Sequence, residues 1–287
     1  MLAIQKRLMY TMPMNKSHTL YTKLSSSPFI ISGPCVLESY DIAMHCIDAL
    51  LNAVQGKNIV PIFKASFDKA NRTSITGFRG IGVEKSLAIF ERIKKETGIP
   101  ILTDIHEESQ VEQVLDYVDI IQIPALLCRQ TSLLLSAGKS GAIVNIKKGQ
   151  FLSPLEVLPL IEKVHSTGNT YTFITERGTC FGYNTLVVDF RFFVEMQEHK
   201  IPTIFDATHS VQQPGSLGTC SGGKRKYVPA LVRSAIACGV QGIFMECHPE
   251  PDKALCDGPN SIPTDWLAPI CTDADTLWNM NYETRTL

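Results

Sequence analysis

Six cations lie close to glycine- or hydroxyl-rich stretches of this chain: Lys64, Lys69, Arg72, Lys147, Lys148 and Arg177. A guanidinium grips a carboxylate or phosphate through two parallel hydrogen bonds, and an ammonium serves as a mobile point charge. The stretch KANRTSITGFRG at 69–80 adds amide and hydroxyl donors, with glycines that let backbone approach a phosphate. Any single lysine reads best as a solvated surface charge. Gathered on one rim of a nearly neutral protein, the set would repel itself unless anions neutralise it. Each charge-assisted contact adds roughly 1.5–3 kcal/mol, enough for two polyanionic ligands rather than one.

A second set is Cys35, His209, Glu246 and Asp257. One thiol, one imidazole and two carboxylates suit a borderline divalent ion such as Zn, Fe or Mn, with a position left for water or substrate. The same residues also read as ordinary packing, since a cysteine is often a small buried hydrophobe. Ser39, Ser153 and Ser210 lack a GxSxG context, which argues against a serine hydrolase. His106, in TDIHEE, reads equally as a proton shuttle or as a neighbour of a helix start. Cys128, Cys180 and Cys247 carry no nucleophile motif and read as packing.

These residues need elements that bring them together. Apolar, β-branched runs recur at 29–32, 59–64, 100–105, 120–124, 142–147, 171–176, 203–207 and 242–246. Each is apolar nearly throughout, as strands covered on both faces are. Helical periodicity fills the intervals at 83–97, 109–117, 154–166, 184–199 and 229–238. Strand–helix alternation repeated eight times predicts an α/β single-domain (β/α)8 TIM barrel over 29–287, preceded by an N-terminal extension over 1–28. A doubly wound sheet would carry GxGxxG after its first strand, and none is present. Reactive groups follow almost every strand: Cys35, Lys64, Asp104 with His106, Gln122 with Arg129, Lys147, Arg177, Asp206 with His209, and Glu246. In a barrel those ends share one rim, where active sites are built.

Composition narrows the class. The chain has 287 residues, 27 basic against 28 acidic, 44% hydrophobic, with a net charge of −1. That balance argues against a sequence-independent nucleic-acid binder. No apolar run approaches the roughly 20 residues that span a bilayer, so no membrane role is expected. Nine cysteines, an odd count without a CxxC pair, read as reduced thiols of a cytoplasmic protein. The basic start, free of acids before Glu38, reads as a frayed tail rather than an organelle address.

With these residues in view the chain resembles the 3-deoxy-D-manno-octulosonate 8-phosphate synthases. The motifs are GPCVLES (33–39), FKASFDKANRTS (63–74), TDIHE (103–107), QIPALLCRQT (122–131), VNIKKGQFLSP (144–154), TERGTCFGYNTLVVDFR (175–191), FDATHSVQ (205–212) and GIFMECHPEPDKALCDGPN (242–260). The resemblance covers about 29–263 in order, and KANR separates it from the heptulosonate phosphate synthases of the aromatic pathway. It implies a TIM barrel that condenses phosphoenolpyruvate with D-arabinose 5-phosphate and releases phosphate, on the route to the Kdo sugar of lipopolysaccharide. It further implies Lys64, Ser66, Lys69, Lys147 and Arg177 as phosphoenolpyruvate contacts. Asn71, Arg72 and Thr73 are implied as pentose phosphate contacts, with Arg129 reaching in from a neighbouring subunit of a homotetramer. Asp104 and Gln122 complete the expected substrate-binding set, and Lys69, His209 and Asp257 are the expected proton-handling residues. Cys35 resembles the metal-dependent branch, with Cys35, His209, Glu246 and Asp257 as ligands and no organic cofactor. CDGP at 256–259 resembles the metal-independent branch instead. Beyond Pro263 the sequence lacks the charged amphipathic helix expected to close the barrel. Other phosphoenolpyruvate-dependent condensing enzymes, or a non-catalytic sugar-phosphate-binding barrel, are the rival readings.

Overall fold

A computed structural model describes residues 16–70, 74–183, 185–213 and 222–284, with side chains through residue 280. Eight parallel strands form the barrel, each beside its predecessor in sequence. They are β1 (Phe29–Gly33), β2 (Val60–Lys64), β3 (Ile101–Asp104), β4 (Ile120–Ile123), β5 (Ile143–Lys147), β6 (Thr172–Glu176), β7 (Thr203–Asp206) and β8 (Gly242–His248). Pairing from Phe29↔Gly242 to Gly33↔Glu246 joins β8 back to β1 and closes the ring. The (β/α)8 barrel expected from the sequence is therefore present.

Every strand is buried on both faces, but the two faces differ. Outward residues such as Ile30, Ile121, Val144, Ile174 and Ile243 pack under the helices. Inward residues near the strand starts (Phe29, Ile31, Ile62, Leu102, Ile120, Ile143, Phe173, Ile204 and Phe244) form a separate apolar plug. Two residues further along the same inward faces stand Lys64, Asp104, Gln122, Asn145, Thr175, Asp206 and Glu246. Because side chains alternate across a strand, one face runs from an apolar floor to a polar mouth within a single step.

Helix α1 (Lys16–Ser26) lies beneath that floor, with Leu24 fully buried in the plug and Tyr21 against Phe173 at 5.1 Å between ring centres. Part of the segment read as a frayed tail is thus folded. Around the barrel run α2 (Tyr40–Val54), α3 (Val83–Thr97), α4 (Ser109–Val114), α5 (Thr131–Lys139), α6 (Leu158–His165), α7 (Arg191–Glu198), α8 (Val228–Ala237) and α9 (Leu267–Thr284). The α3 boundaries match the sequence reading, and Gly98 ends the helix in the left-handed conformation at φ 67°. The helix expected over 184–199 begins only at Arg191. Upstream, Leu186–Val187 pairs antiparallel with Thr179–Cys180, and Asp189 accepts a hydrogen bond from the Arg191 backbone to start the helix. The β-branched pair Val187–Val188 favours extended backbone there. The closing helix, not evident from charge pattern, is α9; its Trp278 donates to the Val240 carbonyl at 3.0 Å.

Candidate active site

The polar mouth is built in layers. Lowest, Asn145 donates to Gln122 at 3.1 Å and accepts from Thr175 at 2.7 Å, so three strands are cross-linked just above the apolar floor. Above them sit two buried ion pairs. Lys64 meets Glu246 at 2.6 Å and donates to the Cys35 carbonyl at 2.8 Å. Lys147 meets Asp206 at 2.5 Å.

Two of the cations expected to face a bare anion site therefore already have carboxylate partners. Burial alone would raise the Glu246 carboxyl, but Lys64, His209, Lys69 and Lys147 outweigh it and push it down to about 2. Asp206 is likewise lowered despite its burial, by His209 and Lys147. Lys147 is lowered because desolvation exceeds the help from Asp206.

Lys148 does not belong to the mouth. Strand alternation turns it to the opposite side from Lys147, where it reaches Glu176 at 3.4 Å, the Leu152 carbonyl and the Thr179 hydroxyl. The six-cation rim loses that member, which holds together the loops after β5 and β6 instead.

Arg177 has the character of an anion receptor. It is 4% exposed, and its Nη2 donates to Gln212 at 2.8 Å while its Nη1 is buried without a hydrogen-bond partner among the described residues. Desolvation lowers its guanidinium, with Asp206 and Asp257 opposing. A buried guanidinium nitrogen left without an acceptor costs free energy that an oxyanion restores. Ser66 donates to Asp104, whose other oxygen lies 3.4 Å from His106 Nε2. Burial would raise Asp104, yet Lys69, His106 and Lys64 hold it well below the usual carboxylate range. Lys69 stays firmly cationic, since Cys35, Asp104, Cys256 and Glu246 more than offset its desolvation.

The expected metal ligands fall into two close groups that share Asp257: His209 with Glu246 and Asp257, and Cys35 with Cys256 and Asp257. His209 Nε2 lies 3.6 Å from Glu246 and 3.8 Å from Asp257, and Cys35 Sγ lies 3.4 Å from Asp257. Donor atoms around a tetrahedral ion, at bonds of about 2.0–2.3 Å, stand roughly 3.3–3.8 Å apart, and these three spacings lie in that range, although the four expected ligands do not close into a single group. Two further features suit a cation. Glu246 Oε2 is buried with no hydrogen-bond partner among the described residues. His209 Nδ1 is engaged by Asp206 at 2.7 Å, which leaves Nε2 to face the carboxylates.

Of the remaining expected residues, Arg129 is exposed on the loop after β4, near Glu156 rather than in the mouth. Asn71, Arg72 and Thr73 lie outside the described residues. Sequence reasoning passed over Cys256, which sits 2.8 Å from Cys35 between the two sulfur atoms. It also left Gln212 unassigned, and treated Asp206 only as a strand-end group. The signal for Asp206 was its position three residues before His209.

Known proteins are similar to this chain in sequence. The family model described as DAHP synthetase I matches residues 23–285. The chain is 51% identical over 263 residues to the 2-dehydro-3-deoxyphosphooctonate aldolase of Nitratidesulfovibrio vulgaris (strain DP4), covering 92% of this chain and 96% of that one. It is 54% identical over 236 residues to the protein of the same name from Syntrophotalea carbinolica, covering 82% and 85%. A third such protein, from Desulfatibacillum aliphaticivorans, is 51% identical over 247 residues, covering 86% and 90%.

Proposed function

The chain belongs to the DAHP synthetase I family, and on that premise we propose that it condenses phosphoenolpyruvate with D-arabinose 5-phosphate and water, giving 3-deoxy-D-manno-octulosonate 8-phosphate and inorganic phosphate. It is a group-transferring enzyme of the aldol-like, phosphoenolpyruvate-dependent kind. The reading rests most on Arg177, a buried guanidinium with a donor that no described residue answers, in a chain that also buries Lys64 and Lys147 at its strand ends.

In the proposed reaction C3 of phosphoenolpyruvate attacks the aldehyde carbon of the pentose phosphate. Water adds to C2, which develops positive character, and the C–O bond to phosphate then breaks. Arg177 and Lys147 receive the oxyanions of phosphoenolpyruvate, with Lys64, Ser66 and Lys69 around them. Lys147 serves this role without leaving Asp206, because an ammonium offers three donors. Lys69, held protonated by its anionic neighbours, gives a proton to the developing alkoxide. Asp104 and Gln122 line the wall between the phosphate ends, and Asn71, Arg72 and Thr73 take the pentose phosphate. Holding two mutually repelling anions in reacting geometry is worth up to about 7–11 kcal/mol of barrier.

Cys35, His209, Glu246 and Asp257 are the residues that would hold a divalent ion, Zn, Fe or Mn. Such an ion, when bound, supplies Lewis-acid polarisation of the aldehyde and a site for water. His209 and Asp257 also move protons at this edge of the mouth. The proposed state is a cytoplasmic homotetramer in which Arg129 completes a neighbour's pentose phosphate site. Its exposure supports that, as do the exposed apolar Leu126, Phe151 and Phe181.

Mixing both substrates with the purified protein should release phosphate in step with a 3-deoxy-2-ketoacid. No release, or release only with a phosphorylated tetrose, overturns the reading. Exhaustive chelation should stop turnover and add-back should restore it; undiminished turnover removes the metal alone.

A further inference from the structure

We propose that Cys35 and Cys256 are a reversible dithiol–disulfide pair, and that their oxidation takes Cys35 away from the metal site. The two sulfurs are 2.8 Å apart, closer than two thiols rest when merely packed, and both side chains are buried. Their partnership comes from backbone that is held on both sides. Cys35 follows Gly33, where any Cβ would stand 2.1 Å from the Lys64 carbonyl. Cys256 precedes Asp257, a non-glycine residue at φ 48°, in a turn pinned by Arg225 donating to the Gly258 carbonyl at 2.8 Å and by Leu255 donating to Glu38 at 3.0 Å.

Cys35 lies in only one of the two donor groups described above, which meet at Asp257. It belongs with Cys256 and Asp257, whereas His209 and Glu246 close on Asp257 from the other side. One sulfur cannot be both a thiolate ligand and half of a disulfide. Metal binding and disulfide formation therefore compete for Cys35, and each protects against the other by mass action.

The oxidant is a small peroxide. Hydrogen peroxide converts Cys35 to the sulfenic acid with loss of one water. The Cys256 sulfur attacks that sulfur, the S–S bond forms, and a second water leaves. Two thiols and one peroxide give one disulfide and two waters. A dithiol reductant reverses the change by thiol–disulfide exchange.

The metal half of this inference rests on the metal-dependent reading above; the disulfide does not. The full-length protein is treated with hydrogen peroxide, in zinc-loaded and zinc-stripped forms, then alkylated, digested and mapped by mass spectrometry. Zinc release is followed with a chromophoric chelator. The expected result is a peptide pair joined through Cys35 and Cys256, formed at least tenfold faster without zinc, with zinc set free as the loaded form oxidises and both effects undone by reductant. Sulfinic acid at Cys35 without the cross-link, or a cross-link that leaves bound zinc in place, overturns the proposal. Cys256→Ser should keep zinc under the same treatment; zinc loss from that variant at the parent's rate also overturns it. A reduced protein that takes up no zinc refutes the metal reading, and the peptide map then decides the disulfide by itself.

Discussion

Asp206 Oδ2 and His209 Nδ1 are 2.7 Å apart, and this contact turns the other ring nitrogen of His209 toward Glu246 and Asp257. The same carboxylate accepts the His209 backbone N–H at 2.9 Å and receives Lys147 at 2.5 Å, so one buried acid sets the ring and a substrate-facing cation together. A carboxylate behind a ligating imidazole fixes its tautomer and raises its basicity, and losing such a partner typically costs 10–100-fold in metal affinity. Asp206→Asn should therefore weaken zinc binding by about ten- to a hundredfold. Competition against a chromophoric chelator measures this. Unchanged affinity would show that Asp206 serves Lys147 alone.

Arg177→Lys tests the anion receptor. Lysine keeps the charge but not the planar fork, and it cannot both replace the bond to Gln212 and fill the position of Nη1. Losing one charge-assisted contact of roughly 1.5–3 kcal/mol predicts about a ten- to hundredfold rise in KM for phosphoenolpyruvate. The KM for the pentose phosphate should move far less. Equal rises for both substrates would place Arg177 between the two sites.

The barrel was legible because its strands are short, apolar and mostly separated by helical stretches, and because Lys64, Asp104, Gln122, Lys147, Arg177, Asp206 and Glu246 end or follow them. The direction of each side chain was harder to see. Strands apolar on both faces hide the phase of the pleat, so Lys147 and Lys148 looked equivalent although they point to opposite sides. Neighbours in space but not in sequence were also hidden. Cys35 and Cys256 are 221 residues apart, and no spacing rule joins them. Helix α1 was obscure for a different reason: its sequence is largely polar, and Leu24 is its only fully buried side chain.

Asp104 should contribute stability at neutral pH that acid removes. Its carboxyl is held well below the ordinary value in the folded protein by Lys69, His106 and Lys64. A carboxyl with a depressed folded-state pKa stabilises fully above its unfolded value of about 3.9, and loses that contribution as pH falls through the folded value. Asp104→Asn should thus lower the urea midpoint at neutral pH, and the gap between parent and variant should narrow as pH drops below about 4. A gap that stays constant from pH 7 to 3 would mean that Asp104 acts by shape and hydrogen bonding, not by charge.

Gly33→Ala tests how the first strand meets the second. Gly33 has φ 154°, and a methyl there would stand 2.1 Å from the Lys64 carbonyl oxygen and 2.9 Å from the Phe63 ring. The ring could turn aside, but the carbonyl belongs to the β2 backbone and moves only if the strand does. Lys64 then shifts relative to Glu246, its partner at 2.6 Å, on the strand that pairs with Gly33 from the other side. Strain of this kind costs about 1–3 kcal/mol, and the disturbed ion pair adds to it. Denaturant titration should show the variant destabilised by at least about 2 kcal/mol, and whatever folded fraction remains should bind phosphoenolpyruvate more weakly. A change within about 0.5 kcal/mol, the range of neutral surface substitutions, would mean that the two strands separate easily and that Gly33 does not set the position of Lys64.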